Sequence, residues 1–181
     1  MNRSRIVIGI VFALVFSGVS VTSTSASVYC RPPEAGLKTV GKIKVDNVSV
    51  DVKNVDYPKG KILTPPRSPL VAGISIRHKP LSSPTGSSLV VWHVTFNGCP
   101  GKLNPLISKK KGYIFEVVDE RGRTTKYVIS RKKTVKRGAY DPKWFLLSGP
   151  RQLVLVTCTG KPVKRVFPNN LFIFASPVIK G

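Results

Sequence analysis

Three residues of this chain have side chains that together can carry out acyl transfer: His93, Cys158 and Arg165. Cys158 closes an apolar, β-branched run that begins at Gln152, and a thiol at the mouth of a rigid strand stays within reach of a ligand. A thiolate can attack a carbonyl carbon, an imidazole can protonate the leaving amine, and a guanidinium can donate to the developing oxyanion. The pattern therefore predicts a cysteine nucleophile assisted by His93 and Arg165.

A purely structural role is the alternative for the same residues. His93 lies in the apolar segment 89–94, where it is either an ordinary half-exposed residue or a partner of the thiol across a cleft. The other histidine, His78, stands at a loop edge among cations. Nothing close to His78 in the sequence could orient its ring, so we expect that side chain to be solvated.

The first 26 residues have the three-part pattern of a secretory signal. A basic head at residues 1–5 precedes an apolar run at 6–21 and small residues around Ala26. The apolar run is shorter than the ~20 residues that span a bilayer comfortably, so a cleaved signal peptide is expected, with a retained signal anchor as the alternative. Either way, the folded part is expected to be extracytoplasmic, secreted or membrane-anchored at the cell surface.

The chain is strongly basic, because 30 Lys and Arg face 8 Asp and Glu for a formal net charge of +22. Such a field attracts polyanions. Export argues against nucleic acid as the partner, and an anionic cell-wall or membrane surface fits the compartment better. A solvated basic surface with no specific partner is the alternative.

The chain has three cysteines, and an odd number in an exported protein suggests one thiol that is free or paired between molecules. Cys30 in the lead-in and Cys99 in a turn could pair and leave Cys158 reactive, but their spacing does not decide this. No Cys-x-x-Cys or His-x-x-x-His spacing occurs, and the few carboxylates do not cluster as calcium ligands would. We therefore expect no metal and no cofactor.

The elements that must position these residues are short strands separated by turn signals, with 15 Gly and 15 Pro among them. One short helical turn is predicted at 103–107, and the charge runs at 109–111 and 131–133 are expected to be solvated strand ends or loops. Many short, evenly spaced strands predict an all-β, closed or nearly closed barrel. The eight predicted strands are 40–45, 48–52, 71–76, 88–95, 113–118, 124–130, 153–157 and 171–175.

The run Leu155-Val156-Thr157-Cys158 resembles the Leu-x-Thr-Cys signature of the sortases, cysteine transpeptidases of Gram-positive cell surfaces. The resemblance covers about residues 41–176. Within the family it is strongest to the compact actinobacterial type of class E or F. Trp92 departs from the pattern, since the family usually has glycine before the histidine. The further matching segments are 43–52, 60–66 with 71–73, 90–94 and 170–175.

This resemblance implies an eight-stranded sortase barrel with short helical turns in a catalytic domain at 41–181, after a leader at 1–26 and a flexible lead-in at 27–40. It implies cleavage of a Leu-Pro-x-Thr-Gly-like sorting motif in secreted proteins, through a thioacyl intermediate on Cys158. An amine of peptidoglycan or pilin, or water, would then resolve the intermediate. His93 and Arg165 would be the other catalytic residues, and Trp92, Thr157 and Asn170 would bind the substrate.

Two other functions are alternatives to a sortase. An L,D-transpeptidase requires a Ser-His-Gly-Cys motif, but Val156 stands where its histidine would be. The second alternative is a catalytically degenerate, basic β-barrel that binds anionic cell-wall polymer, and the bulky Trp92 is compatible with it.

Overall fold

Eight strands form a closed barrel in the computed structural model, which describes residues 30–56 and 63–179. Around the barrel the strand order is β1-β2-β3-β4-β9-β10-β8-β7, and β5 and β6 form a separate two-stranded hairpin. The strands are β1 (Thr39–Val45), β2 (Val48–Val55), β3 (Ala72–Ser75), β4 (Ser87–Val91), β5 (Thr95–Phe96), β6 (Cys99–Pro100), β7 (Ile114–Val118), β8 (Thr124–Lys136), β9 (Gln152–Thr159) and β10 (Asn169–Pro177).

Two of the neighbouring strand pairs are parallel, β2 with β3 and β4 with β9, and the other barrel pairs are antiparallel. In the β4–β9 pair, Val91 lies opposite Val156. Because the two strands run in the same direction, the residues that follow Val91 and Val156 emerge side by side at one end of the barrel. Those residues include His93 and Cys158.

Alternate residues of β9 face opposite sides of the sheet. Leu153 and Leu155 belong to the cluster inside the barrel, whereas Val154 belongs to a second cluster on the outer face. The same alternation places Cys158 on the outer face, in line with Val154 and Val156. The nucleophile predicted from the sequence therefore lies on the outside of the barrel wall.

A one-turn 3₁₀ helix, Pro142–Phe145, lies in the β8–β9 connection and covers part of this outer face. Its Trp144 contacts the rings of Phe172 and Phe174 edge-on, with ring centroids 5.0 and 5.5 Å apart. Asp141 caps the start of the helix, and its carboxylate accepts a hydrogen bond from the Lys143 backbone N–H. This helix has no counterpart among the elements predicted from the sequence.

The predicted eight-stranded all-β barrel is confirmed. The predicted helical turn at 103–107 corresponds to the short helix α1, Pro105–Ser108. Within residues 30–56 and 63–179, no helix is long and apolar enough to cross a bilayer. The predicted leader at 1–26 lies outside the described residues.

The prediction for the charge run at 131–133 was wrong, because these residues lie inside β8 rather than in a loop. Each cation has a partner that allows it to stay in a strand. Arg131 and Lys133 lie over the rings of Phe174 and Trp144. Lys132 Nζ donates to two backbone carbonyls, those of Ile107 and Lys109. The strand predicted at 88–95 is also shorter than expected, since β4 ends at Val91.

Candidate active site

Cys158 is the free cysteine of the chain, because Cys30 and Cys99 form a disulfide with their Cα atoms 5.3 Å apart. Its side chain is half-buried on the outer face of β9. Burial raises the pKa of the Cys158 thiol, and the positive charge of Arg137 partly opposes this. The resting side chain at neutral pH is therefore the thiol, and a base is needed to generate the thiolate.

The side-chain amide of Asn170 faces the sulfur atom. Asn170 lies opposite Cys158 in the β9–β10 ladder, and its Nδ2 donates to Cys158 Sγ at 3.9 Å. The amide orientation is fixed on its other side, because Oδ1 accepts a hydrogen bond from the Gly138 backbone N–H at 3.4 Å. Only an oxygen can accept from that N–H, so the donating nitrogen must point toward the thiol.

The arginine whose charge acts on the thiol is Arg137, whereas a catalytic role of Arg165 stays a prediction. Arg165 lies in the tip of the turn between Val163 and Val166, with a φ of +66° and an exposed side chain. Arg137 directly follows β8, and its backbone N–H donates to the Pro168 carbonyl at 2.8 Å. The sequence analysis missed Arg137 because 21 positions separate it from Cys158, and only the order β8-β10-β9 brings the two together.

His93 lies two residues beyond β4, next to the end of β9. The Thr157 hydroxyl donates to the Trp92 carbonyl at 2.9 Å, and the Trp92 N–H donates to the Val156 carbonyl at 3.1 Å. These bonds join the backbone immediately before His93 to the backbone immediately before Cys158. The structure thus brings the predicted histidine and cysteine to neighbouring positions on adjacent strand ends.

The backbone carbonyl of Pro66 interacts with the His93 imidazole and favours its protonated form. Burial lowers the pKa of His93, and the bond to Pro66 and the charge of Glu34 oppose that shift. The ring also packs against Phe96, with centroids 4.8 Å apart. A neutral imidazole has one unprotonated ring nitrogen, which can act as a base.

Two residues that were not among the predicted site residues, Asn104 and Gly101, hold His93 and its two chain neighbours in place. Asn104 Oδ1 accepts from the Trp92 indole at 3.2 Å, while its Nδ2 donates to the Val94 carbonyl at 2.7 Å. Gly101 lies so close that a Cβ there would be 1.8 Å from the His93 carbonyl oxygen. Only glycine permits this approach, so the segment before α1 fixes the position of His93.

The lead-in forms a further wall beside His93. Glu34 Oε1 accepts from the Arg67 backbone N–H at 2.6 Å, and the Ser68 hydroxyl donates to the Arg31 carbonyl at 2.6 Å. The disulfide holds the start of this segment against β6. The charge of Glu34 therefore reaches the imidazole from a segment that the sequence analysis treated as a flexible leader to the domain.

Trp92 and Thr157 were predicted to bind substrate, but the structure buries both side chains. Trp92 is 1% exposed and Thr157 is 2% exposed, and each is satisfied by a protein partner. Trp92 packs in the barrel core, and Thr157 joins two strand ends. These contacts hold the backbone around the two residues in place, and substrate binding by Trp92 and Thr157 stays a prediction. Asn170 is the member of the predicted binding set that faces the thiol.

His78 was predicted to be solvated and without an orienting partner, and this was wrong. Its Nδ1 lies 2.9 Å from the Ser75 hydroxyl, and its ring contacts Phe145 edge-on at 5.9 Å. Burial lowers the pKa of His78. It lines a cavity of about 320 Å³ at the end of β3, the opposite end of the barrel from Cys158.

Comparison with known proteins identifies the architecture that carries this site. No protein-family model matches the chain, and no curated protein is similar to it in sequence. A lid mutant of sortase A from Corynebacterium diphtheriae matches with a TM-score of 0.62 and 16% identity, over 82% of this chain and 74% of that one. The chain has the sortase fold.

Further sortases show the same relationship. Sortase C-1 from Actinomyces oris matches with a TM-score of 0.59 and 20% identity, over 81% of this chain and 78% of that one. Sortase C1 from Streptococcus suis matches with a TM-score of 0.61 and 13% identity, over 80% and 75%. These neighbours are sortases A and C, so the resemblance to class E or F stays a prediction.

Within this sortase fold, the described residues place a thiol, an oriented amide donor, a guanidinium charge and an imidazole at one end of the outer face. No group of three or more His, Cys, Asp or Glu side chains among the described residues could hold a metal ion. A thiol, an imidazole and hydrogen-bond donors are the kinds of group that acyl transfer uses.

Proposed function

We propose that this protein is a sortase-type cysteine transpeptidase. The observation that carries the proposal is the Asn170 amide aimed at Cys158 Sγ at 3.9 Å, on the outer face of a barrel with the sortase fold. The substrate is a secreted protein with a Leu-Pro-x-Thr-Gly-like sorting motif, and the acceptor is an amine of peptidoglycan or pilin. The site operates outside the cytoplasmic membrane, to which the secretory leader at 1–26 directs the chain.

The reaction begins with proton transfer from the Cys158 thiol to the unprotonated nitrogen of His93. The thiolate attacks the carbonyl carbon of the scissile peptide bond, and the carbonyl oxygen becomes an oxyanion. Asn170 Nδ2 donates to this oxyanion, and the charge of Arg137 stabilises it. Imidazolium at His93 then protonates the leaving amine, the C–N bond breaks, and the acyl group remains on sulfur as a thioester.

The second half of the reaction reverses these roles. An acceptor amine attacks the thioester carbonyl while His93 removes its proton. The new tetrahedral oxyanion uses the same two donors, and it collapses with departure of the Cys158 thiolate. Water in place of the amine gives hydrolysis. His93 passes the thiol proton to the leaving amine in the first half-reaction and the acceptor's proton to the departing thiolate in the second, which regenerates the Cys158 thiol and the neutral imidazole.

A panel of Leu-Pro-x-Thr-Gly-like peptides tests the proposal, with oligoglycine as the acceptor amine and mass spectrometry as the readout. The wild-type protein should form both the transpeptidation product and the hydrolysis product. Cys158→Ala should form neither, while the control Lys126→Ala, an exposed position at the opposite end of the barrel, should form both. Equal product from the wild type and Cys158→Ala would remove Cys158 as the nucleophile.

A basic barrel that binds anionic cell-wall polymer is the second candidate, and the raised pKa of the Cys158 thiol together with the net charge of +22 favours it. A thiol-reactive probe separates the two functions. A transpeptidase site should label selectively at Cys158, and His93→Ala should slow that labelling. A pure binder should show no dependence on His93, and should sediment with purified cell wall in a salt-sensitive manner.

A further inference from the structure

The segments on either side of Cys158 in the sequence are strongly basic. Residues 131–165 contain ten Lys and Arg but one carboxylate, Asp141. Eight of these cations are exposed, and six of the eight lie in two segments, the end of β8 with its following residue and the β9–β10 loop. We call this set the basic rim: Lys133, Lys136, Arg137, Lys161, Lys164 and Arg165.

Backbone contacts place the two segments of the basic rim side by side. Lys136 lies opposite Asn169 in the β8–β10 ladder, and the Arg137 N–H donates to the Pro168 carbonyl at 2.8 Å. Asn169 in turn lies opposite Thr159, the residue after Cys158. The rim therefore borders the thiol on the side away from His93, which approaches from β4.

The carboxylates that could neutralise the rim are engaged elsewhere. Asp141, which lies closest to the rim in sequence, accepts from the Lys143 N–H at the start of the 3₁₀ helix. None of the five ion pairs among the described residues includes a rim residue. The acidic members of those pairs lie in or next to β1, β2 and β7: Asp46, Asp51, Asp56, Glu116 and Asp119.

Exposed apolar side chains alternate with the rim cations. Val163 is 66% exposed and Val166 is 49% exposed, and they flank Lys164 and Arg165 in the loop. Tyr140, 58% exposed, follows the other segment. A ligand that matches this surface presents both apolar and acidic groups, as a polypeptide does. A uniformly anionic polymer would leave the apolar groups unused.

We propose that the substrate polypeptide carries acidic side chains within a few residues of the bond that is cleaved, and that the basic rim binds them. This inference rests on the proposed function and names its substrate class. Complementary charge raises the association rate and discriminates against neutral and basic segments. Lys161 and Lys164 are suited to test it, since both are exposed and neither takes part in the proposed chemistry.

The experiment uses Cys158→Ala, which cannot turn over the substrate, and two series of three fluorescent peptides that share one sorting motif. Within each series the residues that flank the motif are acidic, neutral or basic. They lie on the amino-terminal side of the motif in one series and on its carboxyl-terminal side in the other. We expect the acidic peptide of at least one series to bind about tenfold more tightly than the neutral one at low salt, and this advantage to shrink at high salt. Equal binding of all three peptides in both series would overturn the proposal.

Matched charge reversals locate the effect. Lys161→Glu/Lys164→Glu should abolish the preference for the acidic peptide. Arg121→Glu/Lys126→Glu changes the net charge equally at the opposite end of the barrel, and it should retain the preference. If both pairs reduce binding equally, the rim is not the site. If the rim variant weakens only the binding of polyphosphate, the surface serves a polymer and the proposal is wrong.

Failure of this inference can be separated from failure of the proposed function. Cleavage of the neutral peptide that depends on Cys158, without a preference for acidic flanks, would contradict the rim proposal alone. Preferential binding of the acidic peptide without any cleavage by the wild-type protein would contradict the proposed reaction, but it would support the basic rim as a binding surface.

Discussion

At the scale of single residues, the account depends on the Asn170 amide as the donor beside the sulfur. Its orientation does not depend on the thiol, because the Gly138 N–H already binds its oxygen. A donor held by its neighbours before the reaction is the arrangement that stabilises a developing oxyanion most effectively. Arg137 contributes a positive charge, and Asn170 contributes a hydrogen-bond donor with a fixed orientation.

Replacement of Asn170 by alanine should lower kcat by about 10²–10³-fold, since a lost oxyanion donor acts on the transition state rather than on the bound substrate. KM should change little. Steady-state kinetics with the cleaved peptide measures both values, and Asn169→Ala is the matched control. A large rise in KM with an unchanged kcat would show that Asn170 binds the ground state instead.

The pH dependence of alkylation tests which arginine serves the thiol. The raised pKa of Cys158 means that the thiolate fraction at neutral pH is below that of a free cysteine, so iodoacetamide should react slowly there and faster as the pH rises. Arg137→Gln removes a charge that favours the thiolate. Its alkylation profile should therefore shift to higher pH.

Arg165→Gln is the control for this experiment, and its profile should superpose on that of the wild type. If the alkylation profile shifts in Arg165→Gln but not in Arg137→Gln, the arginine that favours the thiolate is Arg165, as predicted from the sequence. Rate constants across pH 6–10, about the range between the ordinary pKa values of histidine and lysine, would define both curves.

At the scale of elements, the segment from Gly101 to α1 holds the histidine by its flanking backbone. Asn104 reaches both Trp92 and Val94, so His93 lies between two anchored neighbours. The parallel pairing of β4 and β9 then sets the distance between the two strand ends. Neither feature involves a side chain that takes part in the reaction.

Asn104→Ala should lower kcat by loosening His93, and the free energy of unfolding should fall by about 1–3 kcal/mol because buried partners lose their hydrogen bonds. Asn104→Asp separates the two bonds, since a carboxylate can still accept from Trp92 but cannot donate to Val94. Urea unfolding and peptide kinetics measure both effects. Full activity in Asn104→Ala would show that the clamp does not position the histidine.

The strands could be predicted because their apolar alternation is a local signal, and so could Cys158 and His93 at strand ends. The position of Arg137 could not, because it depends on β10 lying between β8 and β9. The burial of Trp92 and Thr157 was missed for a related reason. Inner and outer faces of a barrel strand differ in their neighbours, and the sequence does not reveal which polar residue faces inward.

At the scale of the whole molecule, the Cys30–Cys99 disulfide ties the lead-in to the hairpin of β5 and β6 across a sequence separation of 69 residues. Closing a loop of that length in the unfolded chain corresponds to a stabilisation of about 4 kcal/mol on the entropy model. The bond also holds the segment that contains Glu34 beside His93. One covalent link thus supports both the fold and the site.

Cys30→Ser/Cys99→Ser should lower the free energy of unfolding by about 2–4 kcal/mol relative to the oxidised wild type. Urea denaturation followed by tryptophan fluorescence measures this. The wild type in reducing agent is the control, and it should match the double variant. An unchanged midpoint in both would show that the lead-in contributes nothing to global stability.

The covalent intermediate offers the most direct test of the central claim. Wild-type protein is incubated with a sorting-motif peptide without an acceptor amine, quenched in acid, and digested for peptide mapping by mass spectrometry. The account predicts an acyl adduct on Cys158 that disappears when oligoglycine is added, and that fails to form in His93→Ala. Cleavage of the peptide with no adduct on Cys158, or with an adduct on another residue, would contradict it.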